Sequence, residues 1–256
     1  MGDDPGKRAD EIDTLRRGID LGLSLIDTAE MYGDGRSEQL VGEAIAGRRD
    51  EVFIVSKVYP YNASRKSMQA SCDASLQRLN IDVIDLYLLH WPGSVPLAET
   101  VEAFQALQRA GKIRHWGVSN FDTALMETLW RTPGGDAAQT NQILYNLAER
   151  GSEWGLQPWL QSHQVPVMAY SPFDQGRLLR SSALKSFAKN HGMTPSQVAL
   201  AWLLSKEGVI AIPKTGSRQR LEENAAALAH PLGRAQLDEL DKLFAPPRGP
   251  ASLAML

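Results

Sequence analysis

Seven short apolar runs punctuate the chain: Leu23–Ala29, Glu51–Val58, Ile84–His90, Ile113–Asn120, Thr140–Asn146, Pro166–Ser171 and Val209–Lys214. The segments between them are longer, and several carry apolar residues at helical spacing. Short, nearly continuous apolar runs alternating with amphipathic segments predict parallel strands covered by helices. Leu15 and Ile19 mark a helix before the first run. Leu40, Val41, Ala44 and Ile45 mark the next, followed by Met68, Cys72, Leu76 and Leu79. Further helices are predicted through Val101, Phe104 and Leu107, and through Leu125 and Leu129. Thr194 and Pro195 read as an N-cap and first helical position leading into Val198, Ala199, Trp202 and Leu203. Ser217 opens a helix through Leu221, Ala225 and Leu228, and Ala235–Leu243 is a last amphipathic helix. The tail PPRGPASLAML has too much proline and glycine for regular structure and is expected along the surface or over a rim.

This alternation predicts an α/β chain of the (β/α)8 barrel class. A barrel has eight strands. The pattern supplies seven, a helix precedes the first, and residues 1–9 hold no apolar strand. Either the barrel has a gap at its first position, or the chain starts downstream of the full frame. An open barrel exposes two sheet edges, so the second is favoured. The expectation is a single domain, 1–256, that lacks the first barrel strand. No internal repeat or long linker divides it.

Composition narrows the function classes. The 256 residues are 43% hydrophobic and 22% charged, ordinary for a globular domain. With 27 basic and 30 acidic side chains the formal charge is −3, which gives no general attraction to nucleic acid. No apolar run is long enough to span a membrane. The start, MGDDPGKRADE, is polar and acidic, unlike a signal peptide. One cysteine, Cys72, permits no internal disulfide and sits at a helical packing position, which fits a cytoplasmic protein. The expected state is a monomer. The five histidines, His90, His115, His163, His191 and His230, lack metal-site spacing, so no metal is expected. No GxSxG hydrolase motif occurs. The stretch Gly33–Glu38 begins like a dinucleotide fingerprint, but Glu38 stands at its third glycine position, and it reads as a loop.

The candidate chemistry lies at the strand ends. Strand parity puts Leu23, Leu25 and Asp27 on one face, as it does Phe53, Val55 and Lys57, and Leu86, Leu88 and His90. In each, apolar residues point inward and the last inward position is polar. Barrel sites are built at these C-terminal ends. Tyr32 follows the first run in AEMYG. Each residue alone has a plain structural alternative: Asp27 as a helix cap, Tyr32 as an exposed aromatic, Lys57 as a snorkelling amine, His90 as a satisfied rim histidine. Together they form a set for moving a proton to a carbonyl oxygen. Tyr32 would donate the proton. A free phenol has a pKa of about 10, and the Lys57 ammonium would favour its phenolate. Asp27 would hold Lys57, and His90 would orient the carbonyl or assist proton relay.

Seven segments, LIDTAEMYG, VSKV, DLYLLHWP, GKIRHWGVSNF, TNQILYN, MAYSPF and AIPKTGSRQRLEEN, resemble in order the signatures of the aldo-keto reductases. The resemblance runs from about Asp10 to Asp241 and looks nearest to bacterial aldehyde and diketo-acid reductase members. It implies reduction of aldehydes and ketones with NADPH, with the catalytic set falling on Asp27, Tyr32, Lys57 and His90. It also implies cofactor contacts. Ser119, Asn120 and Gln142 fall at the carboxamide, Tyr170 on the nicotinamide ring, and Ser171 and Phe173 at the turn near the pyrophosphate. Lys214 and Thr215 fall at the 2′-phosphate end, with Arg220 reading that phosphate and Glu223 and Asn224 on the adenine side. Two cations beside a helix start suit a phosphomonoester.

Tyr59 and Trp91 are the expected pocket walls, with Trp116 and Phe121 as either pocket or core. Arg177 would attract an acidic substrate or serve as a surface or phosphate-side arginine. The expected partner is a small carbonyl compound. The resemblance also shows departures: the family's N-terminal hairpin and its first strand with a Gly-Thr-Trp-like segment are absent, and the covering C-terminal loop is short. A second reading is therefore a catalytically impaired cofactor-binding or regulatory barrel protein. A third, an isomerase using Lys57 and His90, leaves the downstream segments without a role.

Overall fold

The computed structural model describes every residue from Met1 to Leu256. Its contacts gather into two compact units, Met1–Thr140 with Gly216–Leu221 and Asn141–Thr215 with Glu222–Leu256.

The first unit holds strands β1 (Leu25–Asp27), β2 (Phe53–Val58), β3 (Ile84–Leu89) and β4 (Ile113–Ser119). Neighbours pair in parallel, with Asp27 level with Val55, Lys57 with Leu88, and Leu88 with Gly117. Helices α1 (Arg8–Asp20), α2 (Arg36–Ala44), α3 (Arg65–Leu79), α4 (Leu97–Arg109) and α5 (Thr123–Arg131) complete it. Their ends follow local chemistry. Ser64 caps α3 by accepting from Ser67 N, and Asn80 ends it in the left-handed conformation. Asp122 caps α5 by accepting from Leu125 N at 2.9 Å.

The register explains the two faces of this sheet. Ser56, Tyr87 and Trp116 lie side by side, out of phase with Lys57, Leu88 and Gly117. Phe104 of α4 stacks on Trp116 at 5.0 Å and meets Tyr87 edge-on at 6.1 Å. Trp116 is therefore core on the helix-facing side, and Phe121 is likewise fully buried. For Trp116 the option of walling a pocket is overturned by strand parity. Cys72 is also fully buried, as its helical position implied, and burial pushes its thiol up to about 12. Each large apolar side chain buried here contributes roughly 1.5–3 kcal/mol.

The N-terminal ends of the strands carry a separate polar pin. Asp85 of β3 accepts from Arg49 at 2.6 Å and from the Ile54 amide at 2.8 Å, and it pairs with Arg114 at 3.0 Å.

The second unit holds β5 (Asn141–Leu144), β6 (Val167–Tyr170) and β7 (Val209–Ala211), again parallel. Its helices are α6 (Leu156–Ser162), α7 (Ser182–Asn190), α8 (Pro195–Leu204) and α10 (Arg234–Leu243), while α9 (Arg218–Ala226) begins in the first unit and ends in the second. Thr194 is the N-cap and Pro195 opens the first turn, as the sequence implied, and Gln197 completes a capping box. The helices α6 and α7 add to those read from sequence. The strands are all shorter than the apolar runs: Val209–Lys214 shrinks to Val209–Ala211 because Pro213 cannot donate to a ladder. Arg150, nearly buried, ties the end of α10 down through Asp241 at 2.7 Å and the Phe244 carbonyl at 2.6 Å. Beyond Phe244 the chain has no helix or strand. No helix is long and apolar enough to cross a membrane.

The Asp85 pin generates a stability prediction. Asp85→Asn weakens two arginine contacts at a buried position and is expected to cost about 2 kcal/mol. Urea unfolding should show a lower midpoint with an unchanged slope.

Candidate active site

Three strand ends and one turn converge in the first unit. β1 ends at Asp27, and the next amide, Thr28 N, still bonds Val55 O at 2.8 Å, so the chain stays against β2 as it leaves the sheet. The turn then brings Tyr32 back, with Tyr32 N bonding Ala29 O at 3.1 Å. β2 delivers Lys57, and His90 follows β3 with its amide on Val58 O at 3.0 Å.

Lys57 is wholly buried. Its ammonium donates to Asp27 Oδ2 at 2.6 Å, to the Thr28 carbonyl at 2.9 Å and to the Tyr32 hydroxyl at 3.2 Å. Nζ also lies 4.7 Å from the Tyr32 ring centre. Burial is the largest influence on this amine and pulls its pKa down. The Asp27 charge and the Tyr32 oxygen together outweigh it, and the net result lies above lysine's ordinary value.

His90 is the fourth member. Its ring meets Tyr32 edge-on, 5.7 Å between centres at 83°. It is buried, and Nδ1 has no hydrogen-bond partner. Burial first, and the Lys57 charge second, lower its pKa to about 3, so the imidazole is neutral at physiological pH. The His90 carbonyl accepts from Asn120 Nδ2 at 3.1 Å, and the same amide reaches Ser119 Oγ at 3.1 Å. Asn120 adopts φ 62°, a left-handed turn that bends the chain at the end of β4. The sequence-predicted pair Ser119–Asn120 thus adjoins the four polar residues.

Aromatic side chains form the neighbouring rim. Tyr59 meets Trp91 edge-on at 5.7 Å and stacks on Tyr61 at 4.6 Å, and Trp91 packs on His90 at 4.8 Å. Sequence reasoning missed the residue that holds this rim. Glu30 accepts from the Tyr59 amide at 2.7 Å and from Asn62 at 3.3 Å. Its signal was available: a carboxylate inside the same AEMYG turn that carries Tyr32.

The other expected contacts are distributed along the chain. Gln142 is buried in β5, with Nε2 4.0 Å from Met168 Sδ. Tyr170 ends β6, half-buried, and Ser171 follows with φ 50°. The Ser171 carbonyl accepts from Asn146 at 2.9 Å, and Phe173 is half-buried in the next turn. Lys214 is exposed and Thr215 half-buried after β7. Arg220 is exposed in the first turn of α9, Glu223 accepts from the Ser196 hydroxyl, and Asn224 is buried. Arg177 pairs with Asp174 at 2.9 and 2.5 Å, so its guanidinium is already engaged.

The His90 environment fixes a pH dependence. The unfolded chain takes up a proton near the ordinary 6.5, whereas the folded chain does so near 3. Between those values the unfolded state binds more protons, so this residue's contribution to stability falls as pH falls. Imidazole NMR signals of His90 should report the neutral ring down to about pH 5, and His90→Gln should flatten the stability slope across the window.

Comparison with known proteins places the chain in a group. Residues 2–245 match the model of the aldo/keto reductase family. Methylglyoxal reductase YeaE of Escherichia coli K12 is 51% identical over 261 residues, covering 100% of this chain and 92% of that protein. Glyoxal reductase of Bacillus subtilis is 34% identical, covering 90% of this chain and 82% of its own. The crystal structure of an aldo/keto reductase from Klebsiella pneumoniae, in complex with NADP and acetate, superposes with a TM-score of 0.98. That protein is 49% identical, with 100% of this chain and 92% of the other covered. The chain belongs to the aldo/keto reductase family.

Proposed function

We propose that this protein reduces a small aldehyde or ketone to the alcohol, with NADPH as the reductant and Tyr32 as the proton donor. The carrying observation is the buried Lys57 ammonium, 2.6 Å from Asp27 and 3.2 Å from the Tyr32 hydroxyl. A phenol beside a fixed cation can release its proton and leave a stabilised phenolate. Asp27 holds the cation in place and offsets its burial. His90, neutral because its pKa is lowered to about 3, directs a ring N–H at the carbonyl oxygen and orients it. Orientation is favoured over relay, since an imidazole of that pKa holds no second proton near neutrality.

The residues present suit the cofactor. Ser119, Asn120 and Gln142 are buried polar groups able to meet a carboxamide, and half-buried Tyr170 offers a ring face. Ser171 and Phe173 would line the pyrophosphate turn. Lys214 and Arg220, both exposed, bracket the start of α9 in sequence and match a phosphomonoester, with Thr215, Glu223 and Asn224 beside them. Bound NADPH supplies the hydride that reduces the carbonyl carbon. The frame we assign is the (β/α)8 barrel, whose sites lie at the carboxyl ends of strands.

Tyr59 and Trp91 give an apolar wall, and Arg177, held by Asp174, adds no free cation. That combination fits a small uncharged carbonyl better than a keto acid. The similar proteins named methylglyoxal reductase and glyoxal reductase make 1,2-dicarbonyl aldehydes the first candidates. The intact Asp27, Lys57, Tyr32 and His90 geometry favours this enzymatic reading over a non-catalytic cofactor-binding protein.

NADPH oxidation with methylglyoxal and glyoxal tests the proposal. Tyr32→Phe should lower kcat by about 100-fold or more while NADPH still quenches protein fluorescence with unchanged affinity. Substantial turnover by this variant would refute the proton-donor role. Lys57→Met should also lose kcat, together with stability.

A further inference from the structure

Glu38 is a fully buried carboxylate that the proton transfer does not use. It lies in the first turn of α2. Its Oε2 accepts from Arg78 Nε at 2.6 Å, and its Oε1 accepts from the Ser56 hydroxyl at 2.5 Å. Arg78, in the last turn of α3, also donates to Ser75 Oγ at 3.2 Å. A charge without solvent is unfavourable unless paired, and an apolar side chain could fill the same space. Its location indicates what the pair accomplishes.

Ser56 immediately precedes Lys57 on β2 and points to the opposite face, toward the helices. The helix α2 begins directly after the Tyr32 turn, and Ser37 N bonds the Tyr32 carbonyl at 3.2 Å. The Ser37 hydroxyl accepts from Thr28 Oγ1 at 3.0 Å, while the Thr28 carbonyl holds the Lys57 ammonium at 2.9 Å. Arg78 lies over the same turn. A Cβ at Gly35, where φ is 83°, would stand 2.5 Å from Arg78 Cδ and 2.7 Å from its Nε. The packing of α2 on α3 is equally close, since a Cβ at Gly42 would fall 2.5 Å from the Leu79 carbonyl oxygen. The turn carrying Tyr32 is thus clamped from behind by one carboxylate that reaches β2 and α3 together.

We propose that Glu38, with Arg78 and Ser56, is a positioning network for the reduction. It holds the Tyr32 turn against β2 so that the phenol oxygen stays in hydrogen-bond reach of Lys57. The role rests on Tyr32 as proton donor. Glu38 touches no reacting atom and acts through the turn. Tyr32 lies beyond the end of β1 and has no sheet ladder of its own, so another device must set its distance. A displacement of about 1 Å at such a group can cost up to about 100-fold in rate.

Steady-state kinetics of Glu38→Gln and Ser56→Ala, with NADPH binding and thermal midpoints, test this network. Glu38→Gln should lower kcat about tenfold, with KM for the carbonyl and Kd for NADPH within about twofold. Ser56→Ala, a smaller change, should lower kcat in the same direction. Asp85→Asn is the control. It alters another buried carboxylate on the same sheet, at the opposite strand ends, and should lower the thermal midpoint while leaving kcat intact. The proposal is overturned if the Glu38 and Ser56 variants lose stability but keep kcat. Equal kcat losses in all three would overturn it too. If Glu38→Gln does not fold, Ser56→Ala decides by the same comparison. Tyr32→Phe separates the layers: retained turnover there removes the proton-donor reading and this role with it. An inactive Tyr32→Phe beside normal Glu38→Gln and Ser56→Ala removes only the network.

Discussion

A lysine with no solvent exposure sets the terms for everything around it. A lone buried ammonium is costly enough that it would shed its proton or unfold its surroundings. Lys57 does neither, because all three of its donors are used: one by Asp27, one by the Thr28 carbonyl and one by Tyr32. All three acceptors belong to one short stretch that leaves β1 and turns back. The parallel register of β1 on β2 brings that stretch to the amine, since Asp27 stands level with Val55, the inward position before Lys57. Sheet pairing, charge pairing and the position of the phenol are therefore one constraint seen at three scales.

The same charge shapes its neighbours. His90 lies close enough to Lys57, and deep enough, to stay neutral, so the site holds one fixed cation and one polar neutral ring. Asp27 balances the cation, and the aromatic rim of Tyr59 and Trp91 keeps the surroundings apolar. A low-polarity wall beside a compensated ion pair suits the stabilisation of charge that develops on an oxygen only during reaction.

Much of this was readable in the residue pattern. Period-two alternation placed Asp27, Lys57 and His90 on the inward face, and the observed register agrees. All seven apolar runs became strands, each trimmed where proline or a turn ended the ladder. The same parity, followed one strand further, would have put Trp116 with Tyr87 on the helix side. Its bulk and its place in the GVSNF approach left it ambiguous instead. The helix α7 carried a usable signal in Leu184, Phe187 and Ala188, all buried, behind the Ser181 cap. The α6 signal was weak because a short segment contains Pro158. Glu30 stood in the AEMYG turn beside Tyr32, but what Glu30 and Glu38 hold was not legible. A carboxylate in a turn and one in a helical first turn look like solvated charges until the fold shows what they reach. Sequence likewise carries no distance, and the distances bring Asp27, Lys57 and Tyr32 into hydrogen-bond contact with His90 beside them.

The central claim is that Asp27 and Tyr32 together outweigh burial at Lys57 and keep it an ammonium ion. NMR of the Lys57 side chain, followed through its 13Cε and 15Nζ signals against pH, measures this directly. The account predicts a charged amine that persists above lysine's ordinary 10.5, and a titration that moves down in pH in Asp27→Asn. A Lys57 that loses its proton below that value in the wild-type protein would contradict it.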